Sequence, residues 1–209
     1  MHEIFDLVKN WYLENLNYGT ITLLMAVESS FIPFPSEIVI PPAIILLVAT
    51  GHMDFSLVLL FATIGCMIGA LVNYYLGYTL GRKIIYSLAE KKWARLFLIS
   101  PAKIQGAEDY FIKNGNASTF IGRLVPGIRQ LISIPAGLAK MNMKSFLLYT
   151  FLGSGLWNLI LALISYFLGE HWEVYYKEIS WVAIVLGVLF IAYLVYKGVK
   201  KKDMSKVKE

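Results

Sequence analysis

The sequence predicts an all-α polytopic membrane protein built as an inverted repeat. Each half is a broken re-entrant hairpin followed by a long transmembrane helix, and one more transmembrane helix follows at the C-terminus. Three observations carry this prediction. Of the 209 residues, 57% are apolar and only 16% are charged, unlike an ordinary soluble domain. Three long segments contain no charged residue, and two further apolar segments are interrupted by prolines, glycines and isolated charges.

The N-terminal segment, residues 1–18, is predicted to form an amphipathic helix at the membrane interface. Its apolar residues recur at helical spacing among polar ones, which favours a helix lying flat at the lipid boundary. Glu3 and Asp6 stand near its start, so it lacks the basic start and apolar centre of a secretory signal. We therefore expect no cleaved segment, and the charges do not fix the side of the membrane on which this helix lies.

Two broken segments, about residues 20–51 and 117–139, are predicted to be re-entrant hairpins or discontinuous helices within a membrane domain of residues 19–169. Proline removes a backbone donor and blocks the helix interior, so neither segment should form one straight helix. In hydrocarbon, broken backbone is tolerated only where protein surrounds it or where it lines a wet cavity. These segments are therefore the predicted functional interior. The residues expected to shape the breaks are Pro33, Pro35, Ser36, Pro126, Gly127, Ser133 and Pro135.

Residues 55–81, 145–169 and 179–196 are predicted to cross the membrane. None of the three contains a charged residue. At about 1.5 Å per residue, each reaches roughly the thickness of a hydrocarbon core of about 30 Å. The alternative, buried helices of a large soluble core, needs more surrounding chain than 209 residues supply.

The basic residues predict the orientation of these spans. Lysines and arginines are concentrated between the first two spans and in the tail, residues 197–209, whereas the loop between the second and third spans is rich in glutamate. Basic loops stay on the cytoplasmic side, so we expect a multi-pass protein of the cell membrane with a cytoplasmic C-terminus. The second broken segment should then enter from the cytoplasm and the first from outside.

An internal repeat underlies the predicted symmetry. Gly65 and Gly81 in the first span match Gly153 and Gly169 in the second at one offset, and the prolines of the two broken segments share a spacing. The charge argument makes the two spans antiparallel, so the repeat would be inverted, an arrangement that places transporter sites at mid-membrane. The alternative is chance, because glycine and proline are common in membrane segments.

Four charged residues in the broken segments form the candidate transport site. Glu28 and Glu37 lie in the first segment, and Arg123 and Arg129 lie in the second. An unpaired charge in the membrane costs about 2.5 kcal/mol or more, so acids and arginines should meet in one shared cavity. Guanidinium groups suit phosphate oxygens, and the glutamates are candidate proton carriers. Static ion pairs that only join the hairpins remain the alternative.

Two asparagines within the spans, Asn73 and Asn158, are expected to support this cavity. Their amides can hydrogen-bond the broken backbone, and a simple bond between helices is the alternative. We predict no metal or cofactor, because the single cysteine and the three scattered histidines have no ligand spacing. The basic loop is more simply a topology signal than a nucleic-acid surface. Serine hydrolase signatures are missing, which argues against an enzyme.

Three motifs resemble the DedA family, also called the VTT-domain or SNARE-associated Golgi protein family. They are ESSFIPFPSE at 28–37, NYYLGYTLGR at 73–82 and FIGRLVPGIRQLISIPAG at 120–137. The resemblance implies two re-entrant hairpins that face each other, with essential acids at Glu28 and Glu37 and essential arginines at Arg123 and Arg129. Ser36 departs from the glycine of many bacterial members.

Bacterial members of that family move undecaprenyl phosphate or phosphatidylethanolamine, and eukaryotic relatives act as phospholipid scramblases. The expected function is therefore a flippase or scramblase for a phosphate-bearing lipid, with coupling to a proton or sodium gradient left open. A proton- or sodium-coupled ion or drug antiporter is one alternative, and a membrane lipid-phosphate enzyme is another. A scaffold in a larger complex is a third. A homo-oligomer also stays open.

Overall fold

A computed structural model gives the structure of residues 7, 10–30, 38–81, 101–126 and 128–171, without the side chains of residues 47–50, 80, 101–104, 106, 107 and 170. These residues belong to one compact unit, Met1–Trp172. The second unit, Glu173–Glu209, holds the predicted third span and the basic tail, which lie outside the described residues. The predictions for Pro33, Pro35, Ser36, Glu37 and Gly127 also lie outside them.

Throughout the described ranges the chain is helical or forms turns, with no β-strand. Residues 10–14 are helical as well. The helices are α1 (Tyr18–Glu28), α2 (Ile40–Thr50), α3 (Phe55–Leu76), α4 (Pro101–Arg123), α5 (Ile128–Leu131), α6 (Ser133–Leu138) and α7 (Met143–Leu168). A π-helical turn, Gly77–Gly81, extends α3, and a 3-10 turn, Gly169–His171, follows α7.

Two helices are long and apolar enough to cross a membrane, as the sequence predicted. They cover Phe55–Thr79 and Met143–Leu168, with mean hydropathies of 2.4 and 1.8. In each helix, only 39% of the most apolar 18-residue stretch is buried within the protein. A core helix of a soluble protein would be mostly buried, whereas these helices turn large leucine and isoleucine side chains outward. That exposure fits a surface whose solvent is lipid.

Short polar side chains set where the helices begin. Asp54 accepts a hydrogen bond from the backbone of Leu57 at the start of α3, and Asn142 does the same for the first turn of α7. Asn17 and Thr20 form a reciprocal capping box at the start of α1. Such caps satisfy amides that no helical carbonyl can reach. Each apolar run therefore begins at a defined residue.

Both predicted breaks are present. The first helix ends at Glu28 and the chain becomes helical again at Ile40, while α4 ends at Arg123 and α5 starts at Ile128. The second broken segment does not begin as a separate element at residue 117, because α4 already runs from Pro101. Instead, α4 is kinked at Asn114, close to the point where the sequence becomes apolar.

The N-terminal segment is more firmly packed than an interfacial helix requires. Tyr12 is fully buried, and its hydroxyl donates a 2.9 Å hydrogen bond to the carbonyl of Val39. Burial raises the pKa of Tyr12 well above its usual range, so the hydroxyl remains a donor. The segment therefore holds the chain just before α2, whereas Leu7 and Trp11 are exposed.

The helices pack in an exchanged pattern. Helix α1 packs on α3, and α4 packs on α7, so the helix before each break lies on the following long helix. After each break the chain crosses over, because α2 packs on α7 and α6 packs on α3. The two long helices also contact each other. Both breaks are thereby held between the same pair of long helices.

Two glycines that match in the repeat make this packing possible. A methyl group on Gly65 would collide with the carbonyl of Thr22 in α1, and one on Gly153 would lie 2.9 Å from the carbonyl of Phe120 in α4. Only glycine allows a helix backbone to come this close. In each half, this glycine lets the helix that ends at the break pack directly against the long helix.

Candidate functional site

The charged side chains of the site stand at helix ends that adjoin the two breaks. Glu28 is the last residue of α1, Arg123 is the last of α4, and Arg129 lies in the short helix α5. Their exposed fractions are 1%, 2% and 7%. Since charged residues are almost never this buried unless they are paired, their contacts decide what the site can do.

Glu28 and Arg129 form a buried ion pair across the two halves of the chain. Arg129 Nη2 donates to Glu28 Oε1, and the Ser29 hydroxyl donates to Glu28 Oε2 at 3.0 Å. The guanidinium of Arg129 also lies 5.2 Å from the centre of the Trp157 ring, a cation–π distance. One side chain therefore links the first broken segment, the second broken segment and α7.

Arg123 donates hydrogen bonds across the second break, from the end of α4 to the residues that follow it. Its Nη1 donates to the carbonyl of Arg129 at 2.9 Å, and its Nη2 donates to the Ser133 hydroxyl at 2.5 Å. A helix break leaves carbonyls without helical partners, and a guanidinium can satisfy them with several donors at once. Arg123 thus satisfies the freed backbone and places a second positive charge beside the ion pair.

Asn73 ties both breaks to the first long helix. Its Nδ2 donates to the carbonyl of Ser29 at 3.2 Å and to the carbonyl of Gln130 at 2.8 Å. Both partners are acceptors, so the amide orientation is fixed. Asn73 is fully buried, and both of these bonds go to main-chain carbonyls beside the breaks.

Asn158 makes the other kind of contact, a bond between helices. Its Nδ2 donates to Thr63 Oγ1 at 3.2 Å and approaches Cys66 Sγ at 3.8 Å, which joins α7 to α3. The sequence left this alternative open, and it is the one observed.

A small cavity lies at the centre of these contacts. Its volume is about 10 Å³, the space of about one water molecule, and its walls come from both long helices and both breaks. The lining residues are Ser29, Cys66, Arg123, Arg129, Ser154, Trp157 and Asn158. A group the size of phosphate does not fit in this volume, so the cavity is closed to such a group in this structure.

The structure brings together most of the predicted site residues that it describes. Glu28, Arg123 and Arg129 meet around the breaks, with Asn73, Asn158 and Ser133 beside them. Pro126 follows α4 in the turn of the second break, and Pro135 lies inside α6 without bonding the cluster. No group of three metal-ligating side chains occurs in the described ranges.

Four members of the cluster were not predicted by the sequence. Trp157, Thr63 and Ser154 were not among the residues expected at the site, and Cys66 was considered only as a metal ligand. One signal was present, because Thr150, Ser154 and Asn158 recur every fourth residue of an apolar helix. That stripe marks the buried polar face of α7, where Trp157 also lies.

The fold and the site define a helical membrane protein with a paired, buried ionic cluster between two broken segments. Residues 34–167 match the family model of the VTT domain. The chain belongs to the VTT-domain family, which confirms the resemblance to DedA proteins.

Relatives cover most of the chain. A protein of Lactococcus lactis subsp. lactis (strain IL1403) named "Alkaline phosphatase-like protein" is 34% identical over 100% of this chain and 96% of its own. Staphylococcus aureus "Undecaprenyl phosphate transporter A" is 29% identical over 91% of this chain and 96% of its own. Escherichia coli "Protein DedA" is 25% identical over 68% of this chain and 62% of its own. No solved structure shows a significant match.

Proposed function

We propose that this protein translocates a phosphate-bearing lipid between the leaflets of the cell membrane. The observation that carries the proposal is the pair of buried guanidinium groups, Arg123 and Arg129, at the breaks between two membrane-length helices. Two relatives named undecaprenyl phosphate transporter A support a lipid phosphate as substrate.

The physical requirement is a polar path for the head group. A charged phosphate that enters bare hydrocarbon loses its hydration, whereas the lipid tails can stay in the bilayer. Guanidinium groups replace water with planar pairs of N–H donors that match phosphate oxygens. In this proposal, Arg123 and Arg129 provide those donors to the phosphate inside the membrane, where hydration water is missing.

The membrane topology in this proposal is an inverted repeat. The two breaks are re-entrant turns, the second opening from the cytoplasm, and the C-terminus is cytoplasmic. Two observations support this arrangement: the exchanged packing of α2 and α6, and the matched close contacts at Gly65 and Gly153. Both are what a pseudo-twofold axis between α3 and α7 would produce.

The ion pair between Glu28 and Arg129 acts as the lock of the closed state. An entering phosphate competes with the carboxylate for the same guanidinium, so transport requires the pair to open. Protonation of Glu28 would release Arg129 without leaving an unpaired negative charge, which offers a route for coupling to a proton gradient. Sodium would compete for the carboxylate in the same way. Glu37 lies outside the described residues, and we propose it as a second acid that competes for the arginines.

A lipid-phosphate enzyme is the second candidate, favoured by one contact and one name. The Ser29 hydroxyl lies 3.0 Å from the carboxylate of Glu28, as a nucleophile lies beside a base, and the Lactococcus relative is named alkaline phosphatase-like. An enzyme would release phosphate, and the activity would vanish in Ser29→Ala. A translocase would move lipid without releasing phosphate.

The test is translocation in liposomes with a panel of undecaprenyl phosphate and phospholipids. We compare the parent with Arg123→Ala, Arg129→Ala, the charge-preserving lysine variants and Lys140→Ala as an exposed cationic control. Only the four site variants should lose transport, and the lipid whose transport is lost identifies the cargo. Equal transport activity in all the proteins would show that Arg123 and Arg129 do not form the transport site. Ion movement without lipid cargo would identify an antiporter instead.

A further inference from the structure

Three buried polar atoms belong to residues that line the central cavity and have no hydrogen-bond partner among the described residues. They are Arg123 Nε, Trp157 Nε1 and Asn158 Oδ1. Their residues are 2%, 9% and 0% exposed. Buried polar groups are nearly always hydrogen-bonded, so three such atoms around one cavity indicate a place for a ligand.

The orientation of the Asn158 amide is fixed by its neighbour. The hydroxyl of Thr63 donates its proton to the carbonyl of Leu59 at 2.7 Å. It must therefore accept from Asn158, at 3.2 Å, so the contact uses Nδ2–H and not the amide oxygen. This leaves Oδ1 as the atom of Asn158 that is available to the cavity.

The three atoms describe a specific chemical partner. Arg123 Nε–H and Trp157 Nε1–H are donors that require an acceptor oxygen, whereas Asn158 Oδ1 requires a group that carries a proton. A phosphomonoester with one proton offers both, because it has charged oxygens and one P–OH group. A phosphodiester has oxygens that accept but no proton to donate.

We propose that Trp157 and Asn158 contact the phosphate directly, and that Asn158 makes the site select a singly protonated phosphomonoester over a phosphodiester. The proposal rests on the proposed function and adds two residues of α7 to its binding site. Trp157 then has two contacts, since its ring faces the Arg129 guanidinium while its N–H faces the ligand. In the closed state, the cavity admits about one water molecule, which the phosphate oxygen would displace on opening.

The variants separate ligand contact from packing. Trp157→Phe removes the N–H and keeps an aromatic ring against Arg129. Asn158→Leu removes the acceptor together with the bond to α3, and Thr63→Val is its matched control because it removes the same bond but keeps Oδ1. Thr150→Val removes a buried hydroxyl of α7 that has no partner in the described part of the chain and does not line the cavity.

Binding is measured by calorimetry on the full chain in maltoside detergent at pH 6, where about half of a phosphomonoester is singly protonated and the rest carries no proton. The probes are dodecyl phosphate, methyl dodecyl phosphate and inorganic phosphate. We expect the parent to bind dodecyl phosphate most tightly. Trp157→Phe should bind both esters about tenfold more weakly, the loss of one hydrogen bond to a charged group. Asn158→Leu should weaken the monoester alone. Thr63→Val should match the parent because the Asn158 amide keeps its Nδ2 contact with Cys66 Sγ, and Thr150→Val should match it as well.

Each other result contradicts a defined part of the reasoning. If Trp157→Phe equals the parent and Asn158→Leu equals Thr63→Val, the two residues only pack the helices and this inference is wrong while the proposed function stands. If inorganic phosphate binds as tightly as dodecyl phosphate, the site recognises free phosphate and not a lipid. If the parent binds none of the probes, the proposed function fails as well.

Discussion

Loss of the Arg129 charge should destabilise the protein more than loss of the whole ion pair. In Arg129→Met the Glu28 carboxylate keeps its burial, at 1% exposure, and among the described residues only the Ser29 hydroxyl still donates to it. An unpaired buried charge of this kind costs about 3–5 kcal/mol. The methionine keeps an apolar stem in place of the arginine, so the charge is the main change.

The double variant Glu28→Leu/Arg129→Met supplies the control. Replacing a buried ion pair by apolar residues of similar volume is often neutral or stabilising, because both desolvation penalties disappear. We therefore expect the double variant to recover most of the stability that the single variant loses. Both variants should be inactive in lipid transport, since both lack the Arg129 guanidinium.

Thermal unfolding of the purified protein in one fixed detergent measures these effects. For a chain of this size, about 2–4 °C of Tm corresponds to 1 kcal/mol, so Arg129→Met should lower the Tm by roughly 6–20 °C. The reasoning is refuted if the single variant melts with the parent, or if the double variant is less stable than the single one. Either result would mean that the two charges do not depend on each other.

Three further predictions concern single contacts. Gly153→Ala should reduce both lipid transport in liposomes and the Tm, because the added methyl group displaces Arg123. Gly155→Ala is the control: the atoms nearest to its added methyl group are 3.8 Å away, so transport and Tm should stay unchanged. Asn73→Leu should cost about 1–3 kcal/mol of unfolding free energy, since the main-chain carbonyls of Ser29 and Gln130 lose the Asn73 donor. Asn73→Asp should not rescue this loss in a denaturant titration. Lys140 has a φ of 50°, a left-handed conformation that costs about 1 kcal/mol of stability for any residue with a Cβ atom. Lys140→Gly should therefore raise the Tm, whereas Lys140→Ala keeps the strain and should leave the Tm unchanged.

The long elements could be predicted from the sequence because hydrophobicity alone specifies them. The charge-free runs that follow Asp54 and Lys144 determine both membrane-length helices, and the two breaks occur where proline interrupts the apolar runs. The start of α4 could not be found in this way. Its first half is polar and kinked at Asn114, so hydropathy detects only the apolar part.

The site was predictable to the extent that a charge in an apolar segment needs a reason. Glu28, Arg123 and Arg129 follow from that rule alone. Their exact partners do not, because sequence cannot show that Arg123 bonds a backbone carbonyl while Arg129 bonds the carboxylate. Trp157 shows the same limit, since an aromatic residue in a span looks identical whether it faces lipid or a guanidinium.

The contact between Arg123 and the main chain of residue 129 has an evolutionary consequence. A carbonyl oxygen is the same whatever side chain the residue carries, so drift at position 129 would leave Arg123 attached to an unchanged neighbour. The side chain at position 129 can then change while Arg123 preserves the shape of the turn. Such a division lets a lineage diversify its chemistry without rebuilding its scaffold.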